Sequence, residues 1–273
     1  MNRLYKLLFF IILCSILFAC SKKDNKDNEI PLVNNSAKLK ITFSHYCNGK
    51  PVVYDSMMYY NKAGNKYEIT EIQYFISDVV LYKNGQKQIT INQWNDIYYI
   101  DTNLPETFVW EVFDQISPDN YDSIAFTFGI NKAKNISFMF VNPPERDMFW
   151  PEVLGGGYHY LKLNGFWENI ESQRKVFNFH LGPGQIYTSE NTTEVDSIIG
   201  FVDNSFFVSL KNSYITFEAG QTTEINIRMN VEKWFEYPTI FDFNIHESNM
   251  MQKQSSMKIA SENGQYAFEL TKM

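Results

Sequence analysis

Short runs of alternating apolar and polar residues, broken by turn dipeptides, constrain this chain more than any other feature. Leu39, Ile41 and Phe43 alternate with Lys40, Thr42 and Ser44, the period of a strand with one buried face. By parity His45 shares the face of Phe43. Residues 121–130 repeat the pattern, with Ile124, Phe126 and Phe128 on one side. Further strands are expected over 67–82, with a break near Ser77-Asp78, and over 88–101, in two pieces around Gln93-Trp94-Asn95. Others fall over 107–113, 197–202, 205–210, 214–217, 222–231 and 266–270. Asn48-Gly49 and Asn84-Gly85 are tight-turn signals. Only Met250, Met251, Gln254, Met257, Lys258 and Ala260 keep helical spacing, and Asn263-Gly264 follows as a stop. Close-spaced strands with one helix predict an all-β fold, an antiparallel β-sandwich (Ig-like or barrel-like) with one short C-terminal helix. The 23 Phe, 17 Tyr and 5 Trp suit pleated, half-buried surfaces. No composition shift marks a second domain, so 37–273 is expected to be a single β domain.

The N-terminus has a different character. Arg3 and Lys6 precede a nearly unbroken apolar run from Leu7 to Phe18, closed by Ala19-Cys20. The run is short for a membrane span and ends on a small residue before a cysteine, so 1–19 reads as a signal peptide. It resembles a bacterial lipobox, which implies cleavage before Cys20 and lipidation of its thiol. Residues 20–36 are polar and charged and read as a lipidated flexible tether. One acyl anchor would hold the domain at a membrane surface, in the cell envelope. Ser21 after Cys20 is compatible with the outer membrane of a Gram-negative cell, on its periplasmic or surface face.

Formal charge is −7. Loss of 1–19 removes two cations and no acid, giving about −9. An acidic domain without a basic stripe argues against nucleic acid as a partner. With Cys14 in the signal and Cys20 lipidated, Cys47 is the last thiol and cannot form an internal disulfide. It reads as a buried small hydrophobe or, two residues after His45, as a soft metal ligand. The chain has no Gly-x-Ser-x-Gly, Walker loop, His-Glu-x-x-His, Cys-x-x-Cys or dinucleotide loop. No nucleophile with a base is visible, so an enzyme acting alone is not expected.

The stretch 148–185 holds two of the four histidines beside Trp150 and the run Gly155-Gly156-Gly157. The glycines open a strand-like segment and read as a backbone bend, one that also swings Trp150 toward the next strand. His159 sits between Tyr158 and Tyr160, and His180 after Phe177-Asn178-Phe179. Imidazoles on neighbouring strands converge on copper, zinc or iron, or else are core histidines with bonded ring nitrogens. His45 and His246 are candidate additional ligands. Met250 and Met251 follow His246; thioethers favour Cu(I), while at helical spacing they also serve as core packing.

Several stretches in order resemble the MbnP family, copper-associated extracytoplasmic proteins related to the MopE copper-binding proteins of methane oxidisers. They are residues 60–67, Ile72-Gln73-Tyr74-Phe75-Ile76-Ser77-Asp78-Val79, Phe126-Thr127-Phe128-Gly129-Ile130, Met148-Phe149-Trp150, 157–165, Phe179-His180-Leu181-Gly182, and His246-Glu247 through Met257, ending at Asn263-Gly264. The resemblance implies a β-rich fold, a periplasmic or surface location and a di-haem peroxidase partner that oxidises a tryptophan to kynurenine. Residue by residue, Trp150 matches that tryptophan, and His159 and His180 match the Gly-Tyr-His and Phe-His-Leu-Gly histidines. Where many relatives have Trp-x-Trp, this chain has Trp150-Pro151-Glu152.

Two functions follow as expectations. One is a tethered copper-binding protein, with Cu(I) favoured, using His159 and His180 and drawing on His45 or His246. The other is a structural or interaction lipoprotein that keeps the fold without metal. The separation of the His159 and His180 side chains discriminates between them.

Overall fold

A computed structural model describes residues 35–92, 96–189, 192–211, 213–246 and 249–272. The expected signal peptide, Cys20 and nearly all of the tether lie outside the described residues, as do Gln93-Trp94-Asn95. The described strands belong to one compact unit, Asn34–Met273. The principal elements are β1 (Lys38–Cys47), β2 (Lys66–Lys83), β3 (Ser123–Phe128), β4 (Leu161–Glu168), β5 (Arg174–Leu181), β6 (Phe206–Leu210), β7 (Thr222–Asn230), α1 (Gln254–Gly264) and β8 (Phe268–Lys272).

Two sheets face each other. The larger runs β5-β4-β2-β3-β6, and Ile97–Asp101 and Gln86–Thr90 also pair with β2. The smaller runs β8-β7-β1, with Val109–Glu111 and Lys50–Pro51 also on β1. Aromatic rings fill the space between them. Phe268 of β8 meets Phe128 of β3 at 5.3 Å and Tyr74 of β2 at 6.5 Å between centroids. This is the expected sandwich, with α1 its one α-helix among the described residues.

The alternation in β1 behaves as its sequence requires. Leu39, Ile41, Phe43, His45 and Cys47 are buried, and the residues from Lys40 to Tyr46 between them are half-buried. Its partner β7 runs parallel to it, Lys38 opposite Thr222 through Tyr46 opposite Asn230. The sheet is therefore mixed, where local pattern alone suggested antiparallel pairing throughout. The expected break at Ser77-Asp78 is a bulge inside one 18-residue strand. Asp78 takes φ +52° and the pairing with β3 shifts register between Ser77 and Val80, so the chain bends without ending the ladder. At Asn84-Gly85 both residues have positive φ, 53° and 70°, the conformation that a two-residue hairpin turn demands. α1 starts later than the methionine spacing implied: Met250 is buried ahead of it, while Met257 and Ala260 are its buried face.

Candidate metal centre

β4 and β5 pair antiparallel, with Lys162 opposite His180 and Asn164 opposite Asn178. Leu161, Leu163, Phe179 and Leu181 face the core, so Lys162, Asn164 and His180 lie on the half-buried outer face. A regular strand would put residue 159 on the inner face with Leu161, away from His180. The chain avoids this because β4 begins only at Leu161. Ahead of it Gly155, Gly156 and Gly157 all have positive φ, 120°, 68° and 78°, a path that side-chain-bearing residues resist. Backbone bonds then fix the segment: Trp150 N–H donates to the Gly157 carbonyl at 2.8 Å, His159 N–H to that of Met148 at 2.7 Å, and Tyr160 N–H to that of Leu181 at 2.7 Å. Tyr158, His159 and Tyr160 are all buried, so parity does not describe this segment.

The result is a histidine pair. The rings of His159 and His180 stand 5.1 Å apart between centroids at an interplanar angle of 84°. His159 Nδ1 is 2.9 Å from the Met148 carbonyl oxygen. A carbonyl only accepts, so Nδ1 carries the proton and Nε2 keeps its lone pair. His180 Nε2 is 2.7 Å from Asn164 Oδ1, while Asn164 Nδ2 donates to Glu71 Oε2 at 2.9 Å. The Asn164 amino group is thus committed to a carboxylate and its oxygen must accept from His180, which leaves the His180 Nδ1 lone pair free. Each ring therefore has one nitrogen tied back and one available, the arrangement in which metal-ligating histidines are held by outer partners.

Both imidazoles are neutral near pH 7. Burial holds His159 well below the ordinary histidine range, and the neighbouring His180 and Lys162 push it further. Burial and the Lys162 cation lower His180 to about 4. Lys162 Nζ donates to the Asp147 carbonyl at 2.7 Å. A neutral ring nitrogen is the form that binds metal.

Trp150 borders the pair. Its indole is fully buried, meets the His159 ring at 4.6 Å and 71°, and donates from Nε1 to the Leu154 carbonyl at 3.1 Å. Gly182, two residues past His180, makes room for it: a Cβ there would stand 2.6 Å from Trp150 Cε3. Gly129 does the same for Tyr160, whose Cγ would be 2.5 Å from an added Cβ.

The other sequence candidates lie apart. His45 is a core residue on β1, 3.3 Å from the Tyr74 hydroxyl and edge-on to Phe108, with burial lowering it to about 4. His246 packs on the Phe241 ring at 5.1 Å. Among the described residues no three His, Cys, Asp or Glu side chains gather where one ion could be held, so neither joins His159 and His180. Cys47 is buried, with Sγ 3.4 Å from the Tyr67 hydroxyl, and burial raises its thiol to about 11, as expected of the packing reading. Glu71, Lys162 and the oxygen of Asn164 were not among the sequence candidates. Lys162 and Asn164 carry a signal only in parity, since they alternate with the core leucines, and Glu71 carries none.

The family model for MbnP matches residues 36–257. The chain belongs to the MbnP family. All the residues of this candidate site lie within that match, as do the stretches that carry the resemblance as far as Met257. Among solved structures, MbnP from Methylosinus trichosporium is similar at 15% identity and a TM-score of 0.48, over 75% of this chain and 79% of that one. No curated protein matches the chain. Within this MbnP-family chain, Met148-Phe149-Trp150 supplies the indole and the carbonyl, the Gly-Tyr-His segment one imidazole, and Phe-His-Leu-Gly the other imidazole and the space for the indole.

Proposed function

We propose that this chain is a membrane-tethered, extracytoplasmic copper-binding protein of the MbnP type, with His159 and His180 as its ligands. The observation that carries the reading is the paired imidazoles, each tied at one nitrogen and free at the other. Imidazole suits copper. Two rings on opposite sides of a linear ion, with nitrogen bonds of about 2 Å, would stand roughly 6 Å apart between centroids. The pair at 5.1 Å is within reach of one ion after a small adjustment or with a bent approach. Neutral ligands, an aromatic surround and the nearby Lys162 cation favour Cu(I), because a single charge costs less to bury than a double one. Rings far apart on opposite faces would have favoured the alternative, an interaction lipoprotein without metal; their meeting supports the copper reading.

The anchor is the lipidated Cys20, which would hold the domain at the envelope surface. Trp150 is the residue on which a partner di-haem peroxidase would act. Its contact with His159 supports a part for the oxidised side chain beside the metal. Full burial of the indole means that such a partner would draw electrons through the protein rather than touch the ring.

Competition titration with a Cu(I) chelator tests the reading. We expect one tight site, lost in a His159→Ala/His180→Ala double variant. Binding no tighter than micromolar, or unchanged in that variant, would remove it. Mass spectrometry of the Trp150 peptide from the native host tests the oxidation: an unmodified tryptophan in copper-loaded protein would remove the peroxidase.

A further inference from the structure

We propose that Glu71 is a positioning residue for the histidine pair, acting on His180 through Asn164. The inference deepens the copper reading and rests on it for its functional meaning, but the contacts stand independently. Glu71 lies on β2 directly opposite Asn164 on β4, and Asn164 reaches His180 on β5. Three adjacent strands therefore supply one chain of hydrogen bonds: His180 Nε2–H to Asn164 Oδ1 at 2.7 Å, then Asn164 Nδ2–H to Glu71 Oε2 at 2.9 Å.

The carboxylate is itself fixed. Asn103 Nδ2 donates to Glu71 Oε1 at 2.6 Å, and the Asn103 backbone N–H donates to Asp101 Oδ1 at 2.8 Å. Asp101 is buried, and its Oδ2 accepts from Gln73 Nε2 at 2.9 Å and from the Tyr99 hydroxyl at 2.8 Å. With both oxygens accepting, Glu71 presents only an acceptor to Asn164, which leaves Asn164 one favoured amide orientation. An amide flipped by 180° would set its oxygen against the carboxylate and lose that bond, while its NH2 would face His180 Nε2, which could then only accept. Glu71 thus dictates which atom of Asn164 faces His180, and so which His180 nitrogen carries the proton and which keeps the lone pair. In many metal sites a carboxylate touches the ligating histidine directly. Here an amide stands between them, so the ring is oriented without an anion against it.

The experiment has two readouts. Nitrogen-15 NMR of copper-free protein reports the His180 tautomer. We expect the Nε2–H form in the wild type and a mixture in Glu71→Ala, Asn164→Leu and Glu71→Gln, because the one amide oxygen of Gln serves either Asn103 or Asn164 and not both. Cu(I) competition on the same proteins should show a 10–100-fold loss of affinity in Glu71→Ala, the usual size for an outer partner. Because Glu71 acts through Asn164, Glu71→Ala should cost little more once Asn164 is already Leu. Thermal melts of each variant separate these effects from loss of fold. A His180 tautomer unchanged in Glu71→Ala, or losses that simply multiply in the double variant, would overturn the proposal. A tautomer that depends on Glu71 in a protein that binds no copper would uphold the positioning role and bring down the copper reading alone.

Discussion

A Cβ on Gly182 would stand 2.6 Å from Cε3 of Trp150. The glycine just after the His180 strand is therefore a steric condition for the indole that flanks His159. Gly182→Ala should force the ring or the strand end to move. Overpacking of this kind costs about 1–3 kcal/mol, measurable as a lower urea midpoint at unchanged slope. The same variant should lose copper affinity, because the displaced indole lies against His159 at 4.6 Å.

Acid should destabilise the fold by a route that can be assigned. His45, His159 and His180 are all held below the ordinary histidine value of 6.5, His45 and His180 to about 4. Between those values the unfolded chain takes up protons that the folded one refuses, so stability falls as pH drops from about 6.5 toward 4. Below the folded values the loss levels off. Every tenfold weakening of a proton's hold on the folded chain corresponds to about 1.4 kcal/mol, so His45 and His180 each contribute on the order of a few kcal/mol and His159 acts in the same direction. Urea denaturation at stepped pH checks this. Replacing the non-ligand core histidine, His45→Phe, should flatten part of the slope and leave copper binding in place.

Copper binding should resist acid more than binding by free imidazole does. Protons compete with metal only where the ligand titrates. With His180 lowered to about 4 and His159 also depressed, affinity should stay nearly level from about pH 8 to 5.5 and weaken below about pH 5. Chelator competition across that range measures it. A decline centred near 6.5 would show that the ligands are ordinary exposed histidines.

What the sequence made legible follows from how local each signal is. The alternation in Lys38–Cys47 and the Asn84-Gly85 turn are decided by neighbouring residues and appear as read. The parallel pairing of β1 with β7 joins residues some 180 positions apart, and no local pattern encodes it. The meeting of His159 and His180 was half legible. The glycines signalled a bend, but its consequence, that His159 leaves the strand parity of Leu161, depends on backbone bonds to Met148 and Leu181. Glu71 was invisible as a site residue, because a lone carboxylate on a strand resembles any solvated side chain until the partner strand supplies Asn164.

Cys47 offers a last test, one that separates a packing thiol from a ligand. The thiol is 2% exposed, raised to about 11, and lies against the Tyr67 hydroxyl. The thiolate is the reactive species, and at neutral pH almost none is present. A disulfide reagent added to native protein should therefore label nothing on the timescale that labels a free thiol, and label one cysteine of the unlipidated domain on unfolding in guanidinium. Copper should not alter either result, and Cys47→Ala should keep the copper stoichiometry while losing some stability to the cavity left beside Tyr67. Protection from the reagent that appears only on adding Cu(I) would instead put the thiol on the metal and require a site other than the histidine pair.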